Sequence, residues 1–128
     1  MAALRDPEEC AVCQVFISAD PMLYDSRSRS VRLHGVATSI RLENMFWQVL
    51  QEIAERDGYS VPQLCARLYD ELVAKHGAVD NFSSFLRVCC TRYLALQLSG
   101  EVPRDARIPI RSITLGAAAH LGAPALAH

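Results

Sequence analysis

The chain has 128 residues, a single lysine (Lys75) among its 13 basic residues, and a net charge of −1. It has no apolar run near the ~20 residues that a membrane-spanning helix needs, which excludes a membrane-embedded protein. No basic, then apolar, then small-residue segment opens the sequence, so no secretory leader is expected and a cytoplasmic protein is. There is no glycine-rich phosphate loop, no HExxH and no nucleophile elbow, so an enzyme is not expected, nor a cofactor. The carboxylates Glu52 and Glu55, and Asp70 and Glu71, read as solvated helix surface. The absence of a net basic charge excludes a uniformly basic coat for nucleic acid.

A sum hides segregation, however. Residues 1–26 hold one base against five acids, for −4, and residues 42–80 hold three bases against seven acids, again −4. Between them, residues 27–41 hold Arg27, Arg29, Arg32 and Arg41 and no acid, for +4. The basic residues are otherwise all arginine, whose planar fork suits phosphates and guanine edges better than a lysine point charge does.

The patterning divides the chain into an N-terminal extension (1–29), a patterned domain (30–99) and an Ala/Gly/Pro-rich tail (100–128). Within the extension, Cys10–Ile17 is apolar and β-leaning, Asp20-Pro21 marks a turn, and Ser26–Ser30 reads as a flexible polar approach. From Val31 residues alternate, Gly35 interrupts them, and the alternation resumes, which predicts strands at about 30–34 and 36–42. Thr38, Ile40 and Leu42 share one face of the second strand, and Ala37, Ser39 and Arg41 the other. The period then changes to 3.6: Phe46, Val49, Leu50 and Ile53 line one helical face, beside Met45 and Trp47, with Glu52, Glu55, Arg56 and Asp57 as polar positions. Gly58 ends that helix. Ser60 and Gln63 form a capping box for a second helix that runs to about His76, with Pro62 tolerated in its first turn. Asn81, Ser83 and Ser84 offer the N-cap of a third, which stops at Gly100. In the tail, Ile108, Ile110, Ile113 and Leu115 offer one more short strand or a docking segment. A β-β-α-α-α core of about 70 residues is marginal alone, and two strands make a poor sheet without partners. The expectation is a homodimer, mainly α with a short β-ribbon whose strands pair across a twofold axis.

Cys10-x-x-Cys13 has the spacing of half a zinc site or of a redox pair, but no second CxxC or CxxH completes a tetrahedral metal. Cys65, Cys89 and Cys90 fall on apolar helical faces, where a free thiol acts as a small hydrophobe. The plain reading is reduced thiols and no metal; a metal or redox role for Cys10 and Cys13, shared between subunits, is the alternative. His34 lies in the ribbon region, exposed or near a nucleic-acid backbone, and His76 ends a helix. His120 and His128 lie in the tail.

The stretch SVRLHGVATSIRLENMFWQVLQEIAERDG (30–58), its TSIRLE run (38–43) leading into LENMFW, and the later NFSSFLRVCCTRYL (81–94) resemble the bacterial ribbon-helix-helix family, in its subgroup with an extended N-terminal part. The resemblance covers about residues 30–98. It implies a homodimeric transcriptional regulator that inserts a two-stranded ribbon into the DNA major groove. It also implies a dimer core built from Ile40, Leu42, Phe46, Trp47 and Leu50. Ala37, Ser39 and Arg41 would meet base edges, where arginine can bond guanine O6 and N7 with both arms. Arg27, Arg29 and Arg32 would neutralise flanking phosphates, roughly eight arginines per dimer with Arg41 counted, enough for a steep salt dependence. The family anchors a phosphate at the start of its second helix, which here is either 83–98, with Ser83 and Ser84, or 61–76, with Ser60. A related dimer that serves as an interaction module, or as a redox or metal sensor, with the acidic extension folded over the ribbon, is the alternative function.

Overall fold

The computed structural model describes residues 10–113. Seven elements follow one another: α1 (Ala11–Ile17), α2 (Pro21–Tyr24), β1 (Ser26–Leu33), β2 (Val36–Glu43), α3 (Asn44–Arg56), α4 (Val61–His76) and α5 (Phe82–Ser99). A short 3-10 turn over Ile110–Ser112 closes the described chain. Among the described residues, no helix is long and apolar enough to cross a membrane.

β1 and β2 form a two-stranded antiparallel sheet within one chain, in register from Ser26↔Glu43 to Leu33↔Val36. The pairing expected between two chains is therefore made within one. The turn explains why. His34 and Gly35 are both left-handed, at φ 51° and 78°, which is the two-residue turn whose twist matches antiparallel strands. Gly35 takes that backbone without strain, so the interruption in the alternation is a hairpin.

β1 begins at Ser26, four residues earlier than its sequence pattern suggests, and the SRSRS run is strand, not a flexible approach. Its backbone is held from both sides. β2 supplies the ladder, and the Trp47 indole on α3 donates to the Arg27 carbonyl at 3.0 Å. Beyond the ladder, the Asn44 amide bonds the Asp25 carbonyl at 2.8 Å, and the Asn44 side chain bonds the Met22 carbonyl at 2.9 Å.

The inner face of the hairpin sets Val31, Leu33, Ile40 and Leu42 against Trp47, Leu50 and Ala54 of α3, Leu64 and Cys65 of α4, and Leu86 and Cys90 of α5. Leu42 and Leu50 are fully buried, Trp47 is 1% exposed and Ile40 4%, within a single chain. Phe46 packs half-buried against the same cluster. The residues assigned to a dimer core thus already form the core of one chain, because the hairpin brings in the second strand that another copy would have supplied.

Three local readings differ from the sequence pattern. Cys10–Ile17 is the lead-in and body of helix α1, none of whose residues is buried. A lone strand there would leave its backbone groups unpaired, whereas a helix pairs its own. Arg56, placed by periodicity on the polar side of α3, is 4% exposed. Its guanidinium donates to the carbonyls of Ile108 (2.9 Å), Pro103 (2.9 Å) and Asp105 (3.0 Å) and to the Tyr93 hydroxyl (3.1 Å). Tyr93 in turn donates to Glu52, so that carboxylate is engaged as well. Finally, residues 101–113 pack back onto the domain. Val102 is buried with Tyr93 and Leu96, and Ile110 and Ile113 pack on them. The Asp57 carboxylate accepts the amides of Ile110 (3.1 Å) and Arg111 (3.2 Å). A docking segment is what Ile110 and Ile113 form; Leu115, His120 and His128 lie outside the described residues.

Candidate nucleic-acid interface

The strand alternation divides the hairpin between its two faces. Paired positions Ser28/Arg41, Ser30/Ser39 and Arg32/Ala37 point outward, and all six are exposed. Arg27/Leu42, Arg29/Ile40, Val31/Thr38 and Leu33/Val36 belong to the inner side. Of the residues expected to meet bases, Ala37, Ser39 and Arg41 share this outer face. Of the three arginines expected on flanking phosphates, only Arg32 joins them, with its guanidinium turned to the Gly35 carbonyl at 3.1 Å. Arg29 lies half-buried on the inner side, its guanidinium 5.2 Å from the centre of the Trp47 ring, and Arg27 sits exposed at the open end.

Sequence reasoning missed Ser28 and Ser30, two of the three exposed β1 positions on this face. The signal was present in the period-2 alternation of Ser26–Ser30, but its inward positions are arginines, so no hydrophobic stripe marked it as strand. The six exposed positions of the outer face are therefore serine, alanine and arginine; the same alternation adds the half-buried pair Ser26/Glu43 at the open end, the one acid on this side. The six offer hydroxyl groups that donate or accept, and two guanidinium forks.

The flanking helices approach the ribbon at opposite ends. Near the turn, the first residues of α4 (Pro62, Gln63 and Ala66) line a groove of about 400 Å³ with Ser30, Arg32 and Ala37. At the open end, Arg87 of α5 grips Glu43, the last residue of β2, at 2.9 Å, and holds its carboxyl below the usual range. The start of α4 is chemically closed: Pro62 has no amide proton, and Ser60 and Gln63 cap each other, at 3.2 and 2.8 Å. At the start of α5 the Asn81 side chain takes the Ser84 amide at 3.0 Å, so Asn81 is the cap and Ser83 and Ser84 stand in the first turn. Ser84 is exposed and Ser83 half-buried.

His34, at the tip of the hairpin, is tied to α4. Its Nε2 lies 2.9 Å from the Asp70 carboxylate, and its ring meets Tyr69 edge-on at 5.2 Å. Asp70 therefore has a partner. Residues 10–25 do not cover the outer face: Ser39 and Arg41 are exposed, and α2 packs on α3 instead. Among the described residues no group of three or more potential metal ligands comes together.

A family model described as a ribbon-helix-helix domain matches residues 26–94. The boundary at residue 26 coincides with the observed start of β1. The chain is also similar to the solved structure of an uncharacterized protein from Bordetella pertussis Tohama I, with 56% sequence identity and a TM-score of 0.82, over 86% of this chain and 88% of that one. No curated protein matches. With more than half of its length matched by the family model, and a two-stranded antiparallel ribbon followed by helices, the chain belongs to the ribbon-helix-helix family.

Proposed function

We propose that the protein is a DNA-binding transcriptional regulator whose hairpin enters the major groove with its outer face toward the bases. The observation that carries this reading is the exposure, on one face of a two-stranded ribbon, of Ser28, Ser30, Arg32, Ala37, Ser39 and Arg41 with no acid among them. A protein surface usually mixes both charge signs, and a two-stranded ribbon has the width the major groove admits. Arg41 is the assigned guanine reader. Ser39, Ser30 and Ser28 accept or donate to base edges with less discrimination, and Ala37 offers a methyl to thymine.

Arg32 and Arg27, exposed at the two ends of β1, are assigned to phosphates. So are Ser83 and Ser84, because α5 carries hydroxyls in its first turn where α4 has a proline and a closed capping box. Arg29 is not assigned to DNA, since its guanidinium is engaged over Trp47.

The reading includes a homodimer, placed differently from one that shares a ribbon. α5 is apolar on both sides: Leu86, Cys90, Tyr93 and Leu96 face inward, while Val88, Leu94 and Leu98 are 60%, 40% and 80% exposed. Three large apolar side chains exposed along one helix offer a surface for a partner, and a second copy is the assigned cover. Two copies would present two complete ribbons to a twofold-related site. Sedimentation of wild type against Leu98→Glu tests this: the variant should run as a monomer.

The test of DNA binding is a salt-titrated gel shift on random genomic fragments, wild type against Arg41→Ala. Retardation that falls steeply with salt is expected. No salt-dependent binding at low ionic strength would refute the function, whereas unchanged affinity and sequence preference in Arg41→Ala would refute only the role given to Arg41.

A further inference from the structure

The five cysteines divide into two classes. Cys65 and Cys90 are buried and Cys89 is half-buried. Burial pushes the Cys65 and Cys89 thiols up to about 11 and the Cys90 thiol up to about 12, so all three stay protonated at neutral pH. Cys10 and Cys13 are both exposed. They are brought together by a single turn of backbone, in which the Cys10 carbonyl accepts the Gln14 amide at 3.0 Å. The Cys13 backbone amide, and then its side chain, hydrogen-bond to the Cys10 sulfur and lower its pKa. The two cysteines thus stand three residues apart in one exposed turn, and no residue of α1 is buried, so a bond between them disturbs no core packing. Among the described residues no third metal ligand stands with them.

We propose that Cys10 and Cys13 form a reversible dithiol–disulfide pair that exchanges with a small-molecule disulfide of the glutathione class. The Cys10 thiolate attacks one sulfur of the disulfide, whose S–S bond breaks. One thiolate leaves and takes up a proton, and a mixed disulfide remains on Cys10. Cys13 then loses its proton to solvent and attacks the Cys10 sulfur, expelling the second small thiolate, which is protonated in turn. The protein dithiol is oxidised by two electrons and one small disulfide is reduced to two thiols. Cys10 is the attacking thiol because Cys13 supports its thiolate, and Cys13 is the resolving one.

The test equilibrates the full chain in buffers of reduced and oxidised glutathione, quenches with an alkylating agent and reads the intact mass. Wild type should lose two hydrogens in a monomeric species, with the bond mapped to Cys10 and Cys13. Cys13→Ser should instead retain one glutathionyl group on Cys10, and Cys10→Ser should form neither product. Alkylation of the reduced protein should label Cys10 more than about tenfold faster than Cys65, Cys89 or Cys90. Both substitutions are at exposed positions outside the core, so folding is not at stake. The proposal is overturned if both thiols stay reduced at glutathione ratios that oxidise a free dithiol, or if only disulfide-linked dimers form. It is equally overturned if zinc added to the reduced protein protects both thiols at one metal per two chains, which would make the pair half of a shared metal site.

Discussion

Arg29 and Arg41 lie one register step apart on adjacent strands of the same ribbon, and their surroundings are opposite. Arg29 faces inward, half-buried, its charge over the Trp47 ring. Arg41 faces outward between exposed serines. Ile40 and Leu42, on either side of Arg41 in sequence, are buried. One face of the hairpin packs into the core, and the other leaves six small, polar or basic residues exposed. A set of six exposed positions with no acid among them is best explained by something outside the chain.

The division breaks most visibly on the inner face. Leu42→Ala removes a fully buried side chain between the sheet and three helices. It should cost about 2–5 kcal/mol of unfolding free energy, a large share of what a domain of this size holds. Denaturant unfolding followed by circular dichroism measures it, and a loss below about 1 kcal/mol would mean that the inner face is not the core.

On the outer face the same experiment should show almost nothing, and the effect should appear in binding. Arg41→Ala is expected to leave unfolding within about 0.5 kcal/mol of wild type. It should weaken binding to the preferred site by about 1–3 kcal/mol, roughly ten- to hundredfold, and relax preference at one base pair. A variant that loses stability instead of affinity would place Arg41 with Arg29.

Arg29→Ala is the counterpart. Losing the contact with Trp47 should cost about 0.5–1 kcal/mol of stability, and DNA affinity should change less than twofold. A larger loss of affinity than of stability would return Arg29 to the phosphate-binding role that its charge alone suggests.

The difference between these arginines was half visible in the sequence. In β2 the hydrophobic residues alternate, so the inward and outward positions, and with them Ala37, Ser39 and Arg41, follow from period 2 alone. In β1 the inward positions at the open end are Arg27 and Arg29, so the alternation is of serine with arginine and carries no burial signal. The segment is a strand because β2 supplies its ladder and the indole of Trp47 bonds the Arg27 carbonyl and lies beneath the Arg29 guanidinium, contacts that no local pattern shows. The same limit hid Arg56. Its carbonyl acceptors are contributed by Pro103, Asp105 and Ile108, 47 to 52 residues along the chain, and no local pattern points to them. The helix ends at Gly58, His76 and Gly100, by contrast, were legible because capping is settled within four residues. The hairpin itself turned on one dipeptide. His34-Gly35 reads as a simple interruption until both residues are found left-handed, and that single turn makes the ribbon intramolecular.

The smallest expected effect concerns the joint between the two faces. Glu43 ends β2 and pairs with Arg87 of α5 at 2.9 Å, with about a third of each side chain exposed. The Arg87 hydrogen bond holds the Glu43 carboxyl below its ordinary range, so the folded state binds its proton less tightly than the unfolded chain does. The pair's contribution is therefore fully present above the ordinary glutamate range, and it is lost as pH falls through the lowered value. With solvent screening so close, it should be worth less than about 1 kcal/mol. Glu43→Gln should lower stability slightly at neutral pH, and the gap to wild type should close in acid and shrink at high salt. The substitution should leave DNA affinity unchanged if α5 merely braces the ribbon. If affinity falls while stability does not, the pair sets where the first turn of α5, with Ser83 and Ser84, meets the phosphate backbone, and the outer face extends beyond the strands to include it.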